Sequence, residues 1–139
     1  MSGTNKAIGG GGFHHVAVRV GDFDAAVEFY SEALGFSEKI SWGEGDGRAI
    51  MLDTGDGNYL EVFAGGSDDP EPEGAVLHFA LRCGDVDAAI ARVRAAGAGI
   101  TVEPKDLVIP SRPEPTPVRI AFFRAPGGVI VEFFKNETT

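Results

Sequence analysis

His15-Val-Ala-Val-Arg-Val-Gly-Asp-Phe-Asp-Ala-Ala-Val27 and His78-Phe-Ala-Leu-Arg-Cys-Gly-Asp-Val-Asp-Ala-Ala-Ile90 are two copies of one pattern. Extended to Tyr30 and Val93, sixteen positions align at a spacing of 63 residues, and eight are identical: His, Ala, Arg, Gly, Asp, Asp, Ala, Ala. Unrelated segments of ordinary composition share about one such position. The chain of 139 residues is therefore read as a small module and its repeat.

Each copy opens on an alternating strand, Phe13 to Val20 or Val76 to Cys83, followed by a Gly-Asp turn. Asp22 or Asp24, and likewise Asp85 or Asp87, can cap the helix that follows by accepting from its free amide groups. The first helix carries Phe23, Ala26, Val27, Tyr30 and Leu34 on one stripe and stops at Gly35; the second carries Val86, Ala89, Ile90 and Val93 and stops at Gly97. Three strands complete each copy: Phe36–Trp42, Arg48–Leu52 and Asn58–Phe63, then Gly99–Glu103, Val118–Phe123 and Val129–Phe134. Gly55-Asp56-Gly57 and Pro126-Gly127-Gly128 make the last turns.

The expected fold class is α+β, two tandem βαβββ modules forming a curved, partly closed mixed sheet. Residues 13–64 form the first module, 65–75 an acidic linker and 76–135 the second, with 1–12 a flexible glycine-rich tail. Pro104 to Pro117, with five prolines, reads as a stiff loop over a pocket.

The net charge of -9 disfavours phosphate backbones and anionic lipid surfaces, so neither nucleic acid nor membrane is an expected partner. No apolar run reaches the length of a membrane span, and Met1 to Gly12 lacks the apolar core of a secretory signal. A lone cysteine, Cys83, suits a reducing, cytoplasmic setting, where it reads as inert core.

Alternation places side chains on faces. His15, Ala17 and Arg19 oppose Val16, Val18 and Val20, and the valine face must pack under the helix because it is the apolar one. His78, Ala80 and Arg82 likewise oppose Leu77, Phe79 and Leu81. Glu61 shares a face with Tyr59 and Phe63, and Glu132 with Ile130 and Phe134. A register slip of one residue would substitute His14 for His15. A carboxylate inside Tyr-Leu-Glu-Val-Phe or Val-Ile-Val-Glu-Phe-Phe is expensive to bury unpaired. That this happens twice, each time with a His to match, points to one divalent metal held by His15, Glu61, His78 and Glu132. Taken singly, either Glu is an ordinary outward-facing charge on a half-exposed sheet. Arg19 and Arg82 are candidate anion-binding side chains or surface ion-pair partners. Trp42, Tyr59, Phe63, Phe123 and Phe134 read as core or pocket wall, with Tyr59 the candidate substrate contact.

The opening from His14 to Phe36 resembles that of the vicinal oxygen chelate proteins, among them glyoxalase I, bleomycin-resistance proteins, extradiol dioxygenases, fosfomycin-resistance enzymes and methylmalonyl-CoA epimerase. The similarity runs from Phe13 to Phe134, and the order His, Glu, His, Glu is most similar to glyoxalase I. The resemblance implies metal positions at His15, Glu61, His78 and Glu132, and an Arg19 that helps hold glutathione. It also implies a homodimer, in some relatives with the site assembled across the interface. Gly65 stands where glyoxalase I tends to have Asn, so the metal set carries over more readily than glutathione specificity.

The expected activity is that of an isomerase, lyase or epimerase. It would abstract a proton beside the carbonyl of a small substrate with two adjacent oxygens, with Glu132 or Glu61 as base and Ni²⁺, Co²⁺, Zn²⁺, Mn²⁺ or Fe²⁺ as Lewis acid. Two alternatives stand beside it. One is an Fe²⁺ ring-cleaving dioxygenase using His15, His78 and Glu132; the other is a metal-free drug-binding protein with an acidic, aromatic-lined groove.

Overall fold

In a computed structural model describing residues 4–7, 9, 12–70, 74 and 76–139, the chain folds as two four-stranded mixed sheets of the same topology. The first has β1 (His15–Arg19), β2 (Ser37–Trp42), β3 (Ala49–Asp53) and β4 (Tyr59–Phe63), ordered β1-β4-β3-β2. The second has β5 (Phe79–Arg82), β6 (Gly99–Ile109), β7 (Thr116–Arg124) and β8 (Ile130–Lys135), ordered β5-β8-β7-β6. In each, the first strand runs parallel to the last, and the other pairs are antiparallel. A parallel pair needs a crossover. α1 (Phe23–Glu28) supplies it in the first copy and α2 (Val86–Ala95) in the second. The fold is α+β, with open sheets. The expected tail 1–12 and linker 65–75 lie partly outside the described residues.

The helix starts resolve the choice of cap. Asp22 accepts from the Ala25 amide and Asp85 from the Ala88 amide, each at 3.0 Å. Asp87 is used differently, accepting from Nε and Nη2 of Arg119 at 2.8 Å each. That contact holds the Asp87 carboxyl below its usual range. The first helix does not run regularly to Gly35 as expected. After Glu28 it widens into a π-helical turn, Phe29–Ala33. One extra residue per turn lets the adjacent Phe29 and Tyr30 both face inward. They are buried, while Val27 and Leu34 of the expected stripe are only half-buried.

A second departure concerns Pro104 to Pro117. Most of that segment is not a loop: β6 runs on to Ile109, and β7 begins at Thr116. β6 is an edge strand, and its pairing with β7 shifts register between Val102 and Lys105, around Pro104. The missing amide of a proline is tolerated at an edge or a bulge.

One apolar core serves both copies. It joins Ala26, Phe29, Tyr30, Ile90 and Val93 of the helical segments to Leu60 and Val62 of β4, and to Phe123, Val131 and Phe133 of β7 and β8. Across the join, Phe29 and Phe123 stand 6.2 Å apart. Burial follows alternation unevenly along β1: Val20 is fully buried and Val18 half-buried, but Val16 is exposed.

The linker pins the two copies together. Asp68 accepts from the amides of Gly21 and Asp22 on one side and of Gly127 on the other, at 2.8 to 3.1 Å. Gly127 has φ +89 and approaches so closely that a Cβ there would lie 2.9 Å from Val20 Cγ1. Among the described residues, no helix is long and apolar enough to cross a membrane.

Candidate metal centre

Strand pairing fixes the company each candidate ligand keeps. In the first sheet Ala17 lies opposite Glu61, which lies opposite Met51; His15 is paired with Tyr59 and Arg19 with Phe63. These side chains share the face away from the common core. The second sheet repeats this: Ala80 lies opposite Glu132, which lies opposite Phe122. In both copies the small alanine leaves room for the glutamate beside the histidine at the head of the sheet.

The result is two pairs of the same kind. His15 Nε2 is 3.5 Å from Glu61 Oε2, and His78 Nε2 is 3.0 Å from Glu132 Oε2. Glu61 and Glu132 are the two buried charged residues among the described core, 8% and 7% exposed, whereas both histidines reach solvent. Burial raises the proton affinity of Glu132, and the neighbouring His78 partly offsets it. The ring of His78 rests edge-on against Phe122 at 5.2 Å.

The four do not meet within one chain. Among the described residues, no three His, Cys, Asp or Glu side chains cluster as a metal-binding group. The reason lies in the core. Leu60 and Val62 of β4, and Val131 and Phe133 of β8, turn toward the same apolar cluster. Glu61 and Glu132 alternate with them and so each points away from it. The expectation that the two sheets curl their ligands toward one another is not met within a single chain, which presents two separate His–Glu pairs. In donor chemistry each pair suits a borderline divalent cation: one imidazole nitrogen and one carboxylate, side by side.

The other candidates divide. Arg19 is on the Glu61 face, but its guanidinium already donates to Ala64 O at 2.8 Å and lies over the Phe63 ring at 5.2 Å. Arg82 is exposed on the Glu132 face, level with Phe134, at the edge of a shallow cleft of about 240 Å³. Tyr59 is half-buried beside His15. Phe123 is pure core, and Cys83 is half-buried, its thiol pushed up by desolvation.

One residue, Ile40, gains a role that spacing alone did not assign, and Trp42 takes the wall position rather than the core one. Ile40 lies opposite Met51, placing it on the Glu61 face, 55% exposed. Trp42, 44% exposed, meets Phe63 edge-on at 6.3 Å. With Met51 and Phe63 they give the first pair an apolar wall. The signal was available in the antiparallel register of β2 on β3, had the bulge between Glu38 and Ile40 been known.

Comparison with known proteins agrees with this architecture. A family model described as the Glyoxalase/Bleomycin resistance protein/Dioxygenase superfamily matches residues 12–133. A curated protein of Vibrio cholerae named probable lactoylglutathione lyase is 32% identical over 129 residues, covering 88% of this chain and 89% of that one. A glyoxalase/bleomycin resistance protein/dioxygenase domain from Frankia sp. EAN1pec superposes with a TM-score of 0.75 at 20% identity, covering 92% and 93% of the two chains. A glyoxalase I variant from Zea mays superposes with a TM-score of 0.68 at 25% identity, over 88% of this chain and 43% of that one.

Proposed function

Because the chain belongs to the glyoxalase/bleomycin resistance protein/dioxygenase superfamily, we propose that it is a divalent-metal-dependent isomerase or lyase of the glyoxalase I kind, working as a homodimer. The observation that carries the proposal is the two matching contacts, His15 with Glu61 and His78 with Glu132, which do not cluster within one chain. Two equal faces that cannot meet within a chain can meet between two chains related by a twofold axis, each contributing a different half. The set is then two imidazoles and two carboxylates, and the carboxylates balance a divalent charge in a partly dry site.

When bound, the cation would supply Lewis-acid polarisation of two adjacent substrate oxygens. The chain's own groups would do the rest. A glutamate takes a proton from the carbon beside the carbonyl and returns it to the neighbouring carbon, so no group is lost or gained. Glu132 or Glu61 serves as that base, and burial raises the proton affinity of Glu132. Ile40, Trp42 and Phe63 hold the apolar part of the substrate and exclude water from the reacting carbon. The name of the Vibrio relative makes a thiol hemithioacetal the first substrate to try. Gly65 and an Arg19 committed to Ala64 O weaken the case for glutathione as the thiol.

One feature favours a second reading, a binding protein for a cationic aromatic compound: the exposed Trp42 lies on the same face as a buried carboxylate. Elemental analysis of protein purified without chelator separates the two readings. The enzyme reading expects stoichiometric metal that is lost in Glu61→Gln and in His78→Ala, together with turnover of a hemithioacetal from a panel of thiols. Metal content unchanged in both variants would refute it.

A further inference from the structure

His14 and His15 are neighbours in sequence, and their rings are in contact. Nδ1 of His14 stands 3.0 Å from Nδ1 of His15, with the rings edge to face at 5.3 Å. His14 is itself held in place: its carbonyl accepts from the Tyr59 amide at 2.9 Å, and its ring leans on Tyr59 at 5.2 Å. A hydrogen bond between two such nitrogens requires that one carry the proton and the other a lone pair. His15 Nε2 is 3.5 Å from Glu61 Oε2, beyond good hydrogen-bond length, whereas His78 Nε2 approaches Glu132 to 3.0 Å.

We propose that His14 is a positioning residue, accepting from Nδ1–H of His15 and so holding His15 in the tautomer whose Nε2 lone pair is free for a cation. Histidine ligands generally have the other ring nitrogen fixed by a neighbour in this way. The device belongs to the first half-site alone, because the position before His78 is Leu77, an exposed apolar side chain. The inference rests on the reading of His15 as a ligand, and two substitutions with two readouts test it. His14→Phe keeps a ring against Tyr59 and removes the acceptor; His14→Asn keeps an acceptor near the position of Nδ1.

Titration of Co²⁺ into the metal-free full chain is expected to show affinity falling roughly 10–100-fold in His14→Phe and largely recovering in His14→Asn. Nitrogen NMR of the imidazoles in metal-free protein, above the imidazole titration range, is expected to find the His15 proton on Nδ1 in wild type and His14→Asn. It should shift toward Nε2 in His14→Phe. Wild-type Co²⁺ affinity in His14→Phe, or a His15 proton on Nε2 in the wild type, would overturn the inference. Wild-type protein that takes up no Co²⁺ refutes the metal reading instead, and the tautomer then still decides the role of His14.

Discussion

Nε2 of His78 stands 3.0 Å from Oε2 of Glu132, a carboxylate only 7% exposed and flanked in its strand by Val131 and Phe133. Burial and the imidazole pull the glutamate in opposite directions, and burial wins, so folded Glu132 titrates above its ordinary value of 4.5. A raised carboxyl favours folding at pH below 4.5, and that contribution is lost as pH rises through the folded value. Metal-free Glu132→Gln should therefore melt above the wild type at neutral pH, with the gap closing at pH 4.5 and below. Melting temperatures across pH check this; a variant less stable than wild type at neutral pH contradicts it.

Asp68 ties the linker to both copies through three amides, those of Gly21, Asp22 and Gly127. Asp68→Ala leaves them without that acceptor and should lower stability by about 1–3 kcal/mol. Asp68→Asn keeps one carbonyl oxygen and should fall between. Urea unfolding of the three proteins measures the order, and an alanine variant as stable as wild type would remove the pin from the explanation.

Tyr30 is fully buried, stacks on Phe36 at 5.7 Å, and its hydroxyl has no hydrogen-bond partner among the described residues. Desolvation pushes its phenol far above the usual range. The ring therefore stabilises and the oxygen does not. Tyr30→Phe should be neutral or stabilising by up to about 1 kcal/mol, whereas Tyr30→Ala should cost about 3–5 kcal/mol, as buried aromatic truncations do. Chemical denaturation of both variants checks the split; a Tyr30→Phe loss as large as that of Tyr30→Ala would contradict it.

The repeat was legible because both its devices are local: a period of two that sets His15 against Val16, and an aspartate ahead of each helix. The pairing of His15 with Glu61, and of His78 with Glu132, on one face each followed from that period. Four features were not legible, for physical reasons. The π-helical turn at Phe29–Ala33 satisfies the backbone nearly as an α-helix does, so no residue announces it. Pro104 reads as a breaker unless β6 is known to be an edge strand with a register shift there. Alternation also states which residues share a face but not where that face looks. Only the structure shows that both glutamates turn away from the core shared by Leu60, Val62, Val131 and Phe133 and that the four candidate ligands do not cluster. The contact between His14 and His15 was hidden by the same rule, since neighbours in a strand are expected to point apart.

Complementation tests most directly whether a working site takes one half from each of two chains. One chain carries His15→Ala with Glu61→Gln, the other His78→Ala with Glu132→Gln, and each is expected to be metal-free and inactive alone. A purified heterodimer should regain a single intact site, with about half the wild-type metal content and turnover per dimer. A heterodimer as empty as its parents would contradict the shared site.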